Sequence, residues 1–312
     1  VLRVAVPWLA LVAGCGRVHF GPQGGADASA TNDSIDSTDS PLGPCTQWGT
    51  FAAPVHLSEL GSPGDDWSPS VTADELEVFF FTARSPTVGG FDVYTASRAA
   101  IGDMFATPVD VPEVSTTSFD AAPFISEDGL TLVVTSGVAG SFDLYLSARP
   151  DRATPFSAPS ATLLGNVNSG NTEQDPWLSP DGLRLYFTSD RLTQGDFFVT
   201  TRASVTAGFG TPTHIAELGS SGRDFHLTLS HDELEAFFAS DRGGNFDIYH
   251  STRPDLATAF STPVAVVELD SSGDDMNISL AAMGARVYYN FNAVAAGGNA
   301  EIWSATRACV AH

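Results

Sequence analysis

The chain contains no lysine: its 14 basic residues are all arginine, set against 37 acidic ones for a net charge of −23. Without lysine, Schiff-base and serine–lysine chemistry are excluded. The negative field also repels nucleic acid and anionic membrane surfaces. Gly-x-Ser-x-Gly, His-Glu-x-x-His and phosphate-loop signatures are missing. Cysteine is scarce, with Cys15, Cys45 and Cys309 the only three. Long apolar runs are absent except at residues 4–13, and that run is too short to cross a bilayer.

What the chain has in quantity is repetition. Anchoring on Asp181 in "SPDGL", equivalent positions are Asp74, Asp128, Asp232 and Met283, a period of 51 to 54 residues. Each anchor is followed by an aromatic and β-branched run such as "LEVFFFT" or "LRLYFTS", then a polar turn, then a second such run, "FDVYTASR" or "DFFVTTR". These runs read as short buried strands. An acid and an arginine keep a spacing of six in every repeat: Asp92/Arg98, Asp143/Arg149, Asp196/Arg202, Asp247/Arg253 and Glu301/Arg307. Strand rise holds the two about 20 Å apart, so each must find a partner elsewhere. A Phe-x-x-Pro element closes each unit, from Phe51/Pro54 to Phe260/Pro263. Four strands in roughly fifty residues, repeated five times, is the pattern of β-propeller blades. The expected fold is an all-β, five-bladed propeller of four-stranded antiparallel blades.

The repeat region begins with the Phe51–Leu57 segment and ends with the "AEIWSATR" strand, so its two ends are expected to pair in one blade and close the ring. Cys45 and Cys309 flank the repeats, and in an exported protein such a pair is expected to form a disulfide at that seam. Unclosed, the ring would expose two sheet edges.

The stretch from "DPWLSPDGLRLYFTSDR" to a strand ending in Ser/Thr-x-Arg resembles the WD-like propeller repeats of the TolB type, over about residues 51–307. The resemblance implies an extracytoplasmic module that binds or scaffolds at the cell envelope. Residues 1–14 read as a signal peptide, and Val12-Ala13-Gly14-Cys15 resembles the lipobox of bacterial lipoproteins, which implies lipid attachment at Cys15. Residues 15–44 are small, acidic and Pro/Gly-rich, the composition of a disordered tether, and 45–312 form the propeller domain. The expected location is the bacterial cell envelope, on the outer membrane, held through the lipid anchor alone.

Eight residues before each anchor stands an acid: Asp66, Asp120, Glu173, Asp224 and Asp275. These five sit where the innermost strands should begin, near the mouth of the central opening. They could hold a hard cation such as Ca²⁺ or a basic or hydroxyl-rich ligand, or each could cap its own turn. Their presence in every blade favours the structural role. Arg84, Arg191 and Arg242 follow the second strands and could bind a ligand's carboxylate or sulfate, or neutralise the acids. His226 and His231 are the only close histidine pair, and five residues apart they face opposite sides of a strand. Trp67, Trp177 and Phe124 are placed near the innermost strands. The reading that follows is a monomeric, non-enzymatic binding or scaffold module, with an envelope protein or glycan as partner and no nucleic acid. Its rival is a carbohydrate-active enzyme with carboxylates in the central channel.

Overall fold

The computed structural model describes residues 45–138, 140–281, 283–291 and 299–311. The expected signal peptide, the expected lipid attachment at Cys15 and the expected tether lie outside the described residues. Strands β1 (Gln47–Phe51) and β2 (Val55–His56) open the chain. Blade 1 follows as β3 (Asp66–Val71), β4 (Glu77–Thr82), β5 (Asp92–Ser97) and β6 (Val109–Asp110). Blade 2 is β7 (Asp120–Ile125), β8 (Thr131–Ser136) and β9 (Asp143–Ala148). Its fourth strand is reduced to a single bridge between Leu146 and Ser160, because Ser160 stands where other blades carry Val109, Thr213 or Val264. Blade 3 comprises β10 (Glu173–Leu178), β11 (Arg184–Ser189), β12 (Asp196–Thr201) and β13 (Thr213–His214). Blade 4 comprises β14 (Asp224–Leu229), β15 (Glu235–Ser240), β16 (Asp247–Thr252) and β17 (Val264–Ala265). Blade 5 contributes β18 (Met276–Leu280), β19 (Arg286–Asn290) and β20 (Ile302–Ala311).

Every pairing within a blade is antiparallel, and the fold is a five-bladed β-propeller. The ring closes in blade 5. There β2 pairs with the first half of β20, Val55 opposite Ser304, as the missing fourth strand. Beyond what the sequence suggests, β1 also pairs with the second half of β20, Phe51 opposite Arg307. Cys45 and Cys309 form a disulfide across this pairing, with Cα atoms 5.6 Å apart and a sequence separation of 264. A loop of that length contributes on the order of 5 kcal/mol by unfolded-chain entropy.

Apolar side chains pack between neighbouring sheets, one cluster per seam. Phe79, Val93, Ile125 and Leu132 fill the seam between blades 1 and 2, and Phe237, Ile248, Val287 and Tyr289 that between blades 4 and 5. The repeated arginine has the same task in every blade. Its Nε donates to the carbonyl of the residue just after the anchor: Arg98 to Glu75 at 2.8 Å, Arg149 to Gly129 at 2.7 Å, Arg202 to Gly182 at 2.7 Å, Arg253 to Glu233 at 2.9 Å and Arg307 to Gly284 at 2.7 Å. Its face lies on the phenylalanine of the Phe-x-x-Pro element, 4.3 to 5.1 Å from the ring centre. This cation–π contact explains why arginine and that phenylalanine recur together.

Candidate functional site

Each of the five repeated acids stands at the start of an innermost strand, and each is buried. Asp66, Glu173 and Asp224 receive Nη2 of Arg84, Arg191 and Arg242 at 2.7, 2.8 and 2.7 Å. The same guanidiniums donate to the carbonyls of Leu60, Val167 and Leu218, tying the innermost strand to the incoming loop. Glu173, Asp224 and Asp275 accept from the backbone N–H and hydroxyl of Ser169, Ser220 and Ser271, four residues upstream. Asp120 has no arginine; it takes the Ser136 hydroxyl and the Thr116 N–H. Burial, and to a smaller degree Asp92, push its carboxyl above the ordinary value. Asp275 also lies near Asp247 and Asp270, with carboxylate oxygens within 4.8 Å of one another. Burial and then Asp270 raise Asp247 above the ordinary value. His231, in the turn after the innermost strand of blade 4, contacts Glu127 in the equivalent turn of blade 2 at 2.9 Å, away from His226.

Two residues beyond each acid the pattern changes. Ser68, Ala122, Asp175, His226 and Asn277 all have left-handed backbones, with φ between 41 and 58°. Register shifts interrupt each innermost pairing at this point. Such a bulge re-aims the side chain that strict alternation would bury beside the acid. The five residues therefore line the central opening, which is narrow, at about 40 Å³, between Pro69, Pro123 and Pro176. Trp177 and Phe124 also line it.

The mouth widens at the beginning of these strands into a cavity of about 230 Å³ lined by Ser68, Gln174, Asp175, His226 and the rings of Phe81, Phe119 and Phe142. Phe91 extends the aromatic shelf, with ring centres 4.8 to 6.0 Å apart along it. All four rings are only half-buried.

Asp175 and His226, from neighbouring blades, are both shielded from solvent. The Nε2 of His226 lies 3.2 Å from Oδ1 of Asp175. The other carboxylate oxygen accepts from the Gln174 amide at 3.2 Å and the His226 backbone N–H at 3.4 Å. Nδ1 of His226 is buried with no hydrogen-bond partner. A carboxylate that holds one ring nitrogen fixes the tautomer and leaves the other nitrogen basic. Among the described residues, Asp175 is the one carboxylate lining the opening and its mouth.

Of this set the sequence reading singles out only His226, and not for this partner. Asp175, Gln174 and the phenylalanine shelf go unnoticed. The signal available was the column two residues after the repeated acid. It reads Ser, Ala, Asp, His, Asn, whereas the column two positions earlier is acidic in all five repeats.

No protein-family model matches the chain, and no curated protein matches its sequence. Solved structures do share the fold. The α-L-arabinofuranosidase PaAbf62A from Podospora anserina matches with a TM-score of 0.56 at 15% identity, over 86% of this chain and 98% of its own. A thermostable family-43 glycoside hydrolase matches at 0.55 and 11% identity, over 81% and 92%. A putative TolB from Agrobacterium tumefaciens matches at 0.51 and 18% identity, over 78% of each chain. At these identities the likeness is one of fold. It still overturns the expectation of a non-enzymatic binding or scaffold module. The architecture is shared over most of the chain with glycoside hydrolases as well as TolB proteins, and the repeat itself carries no function. The repeated acids drew attention to structural positions and away from the variable column.

Proposed function

We propose that this propeller is a carbohydrate-active enzyme that takes a saccharide at the mouth of its central opening, with Asp175 and His226 as its proton-transfer pair. The observation that carries the reading is this dyad, the one carboxylate–histidine contact among the residues lining the narrow opening and the cavity at its mouth, set beside a half-buried aromatic shelf. A half-buried shelf with a few converging polar groups is how small-ligand sites are commonly built, apolar for area and polar for orientation. The opening itself is too narrow for a sugar ring, so the substrate rests across the mouth against Phe81, Phe119 and Phe142. Nε2 of His226 faces the Asp175 carboxylate at 3.2 Å, and Nδ1, buried in the resting arrangement, takes a proton from a water or sugar hydroxyl at the mouth once the ring turns it toward the opening. Asp175 stabilises the imidazolium that results, and that proton passes to the leaving glycosidic oxygen as the water oxygen adds to the anomeric carbon and the C–O bond breaks. Hydrolases acting through two carboxylates place them about 5 to 9.5 Å apart; here a single carboxylate works through an imidazole. The named activities of the fold neighbours, α-L-arabinofuranosidase and endo-arabinase, support pentose-containing glycans as the first substrates to test.

The test is reducing-end release from arabinan, arabinoxylan and xylan, with 4-nitrophenyl arabinofuranoside as a chromogenic probe. Wild type is expected to release product, and Asp175→Asn and His226→Gln to lose about 10²-fold or more. No release from any of these by the folded wild type would overturn the reading.

A further inference from the structure

Charge is arranged around the ring by a rule that fails at one seam. At the seam between blades 1 and 2, Glu77 of blade 1 takes Arg149 of blade 2 at 2.6 Å. Between blades 4 and 5, Glu235 takes both Nη atoms of Arg307, at 2.8 and 2.5 Å. At the seams between blades 3 and 4 and between blades 5 and 1 the polarity is reversed. The first blade supplies Arg184 or Arg286, and the next supplies Glu233 or Glu75 from its turn, at 2.8 and 2.9 Å. Tyr186 and Tyr288 donate to the same carboxylates at 2.7 and 2.6 Å. Those two glutamates hold left-handed backbones, φ 61 and 54°, where the remaining blades have Gly129, Gly182 and Gly284. Each of these four seams thus contains one carboxylate for its strand-end arginine.

The seam between blades 2 and 3 has none. Thr131 occupies the position of Glu77 and Glu235, and Gly182 that of Glu75 and Glu233. Arg202 keeps its Nε bond to Gly182 and its contact with Phe209. Among the described residues, no carboxylate lies within ion-pair distance of its two Nη atoms. Burial pushes the guanidinium below the ordinary arginine value. It lies in a groove of about 500 Å³ between Leu146, Leu178, Val205 and the Ser126 and Ser179 turns. The two acids on the rim are already engaged. Asp128 accepts from Ser126 and the Leu130 N–H, and Asp181 from Ser179, the Leu183 N–H and Arg184.

We propose that the groove between blades 2 and 3 is a second ligand site, in which Arg202 binds the carboxylate of a short ligand. An arginine fork pairs with a carboxylate in a two-point contact, and at the seam between blades 4 and 5 the equivalent Arg307 does so with Glu235 within the chain. The ligand's carboxylate takes the place that Glu235 fills beside Arg307. A uronic-acid oligosaccharide and a peptide with a free C-terminus both carry that group at a size the groove admits.

The experiment is calorimetric titration of the full chain at low salt with trigalacturonate, with trialanine, and with neutral maltotriose as control. Thr131→Glu supplies the missing carboxylate while leaving Arg202 in place; Arg202→Gln removes the fork. Wild type is expected to bind at least one carboxylated probe more than tenfold more tightly than maltotriose, and Thr131→Glu to lose that binding while melting at a higher temperature. Which probe binds identifies the source of the carboxylate. Equal or absent binding of all three probes by wild type would overturn the proposal. So would undiminished binding by Thr131→Glu with its fold intact, since Arg202→Gln alone could fail through lost packing.

Discussion

Two columns of residues, only two positions apart on the same innermost strands, divide the work of this molecule. The first, Asp66, Asp120, Glu173, Asp224 and Asp275, is acidic in every blade, buried, and bonded to hydroxyls, backbone N–H groups or arginine. The second, Ser68, Ala122, Asp175, His226 and Asn277, differs in every blade and faces the opening. A property repeated five times belongs to the blade as a unit. A property present once can belong only to the assembled ring. The second column also holds the dyad.

The contrast can be broken most forcefully in the first column. Asp224→Ala strands the largely buried guanidinium of Arg242, and urea unfolding is expected to register a loss of about 3–5 kcal/mol. The same measurement on Asp175→Asn is expected to show less than about 1 kcal/mol, since that position makes few bonds on which the fold depends. Opening the closure seam comes next. Cys45→Ser should lower stability by about 2–5 kcal/mol under oxidising conditions, and have no effect once the wild type is reduced.

Titration separates structural carboxylates by sign. Burial disfavours the Glu235 carboxylate, but bonds from Arg307 and His250 prevail and hold its pKa at about 2, below the ordinary value. Its stabilisation is therefore fully present above the unfolded value and is lost as pH falls through about 2; a shift of this size corresponds to roughly 3 kcal/mol. Asp120 is shifted upward, so its contribution is present at low pH and is lost as pH rises through the raised value. Acid unfolding of Glu235→Gln should have a flatter limb than wild type. Asp120→Asn should remove part of the opposite slope. The smallest effect sharpens the second column. Ala122→Gly relieves a left-handed alanine and should be neutral or stabilising by up to about 1 kcal/mol, whereas Ala121→Gly beside it should be destabilising by about 0.5–1 kcal/mol.

The architecture was legible in the sequence because propeller repeats write it five times. The strand runs, the terminal closure and the Cys45–Cys309 bridge are all visible as spacing, whereas the stacking of each repeated arginine on its phenylalanine is visible only in the structure. The pairing of β1 was not, since Gln47–Phe51 carries no alternation of its own beyond Trp48 and Phe51. The site was hidden for a different reason. Strict alternation puts Asp175 on the same face as Glu173, and only the bulge between Gln174 and Trp177 turns it into the opening. The aromatic shelf gathers Phe81 from a strand and Phe91, Phe119 and Phe142 from the segments leading into three others, in two blades, a juxtaposition that exists only once those blades pack together. Arg202 was visible as repeat hardware, but its missing carboxylate shows only when each seam is read from both sides.

The most direct measurement compares Asp175→Asn with Asp224→Asn, each assayed for glycan release and for thermal melting. Asp175→Asn is expected to melt within about 3 °C of wild type, the shift that roughly 1 kcal/mol gives in a domain of this size, and to lose glycan release by about 10²-fold or more. Asp224→Asn is expected to melt well below wild type, and to lose release only in proportion to the unfolded fraction. An Asp175→Asn protein that retains full release, or that unfolds as readily as Asp224→Asn, would contradict the division of the two columns.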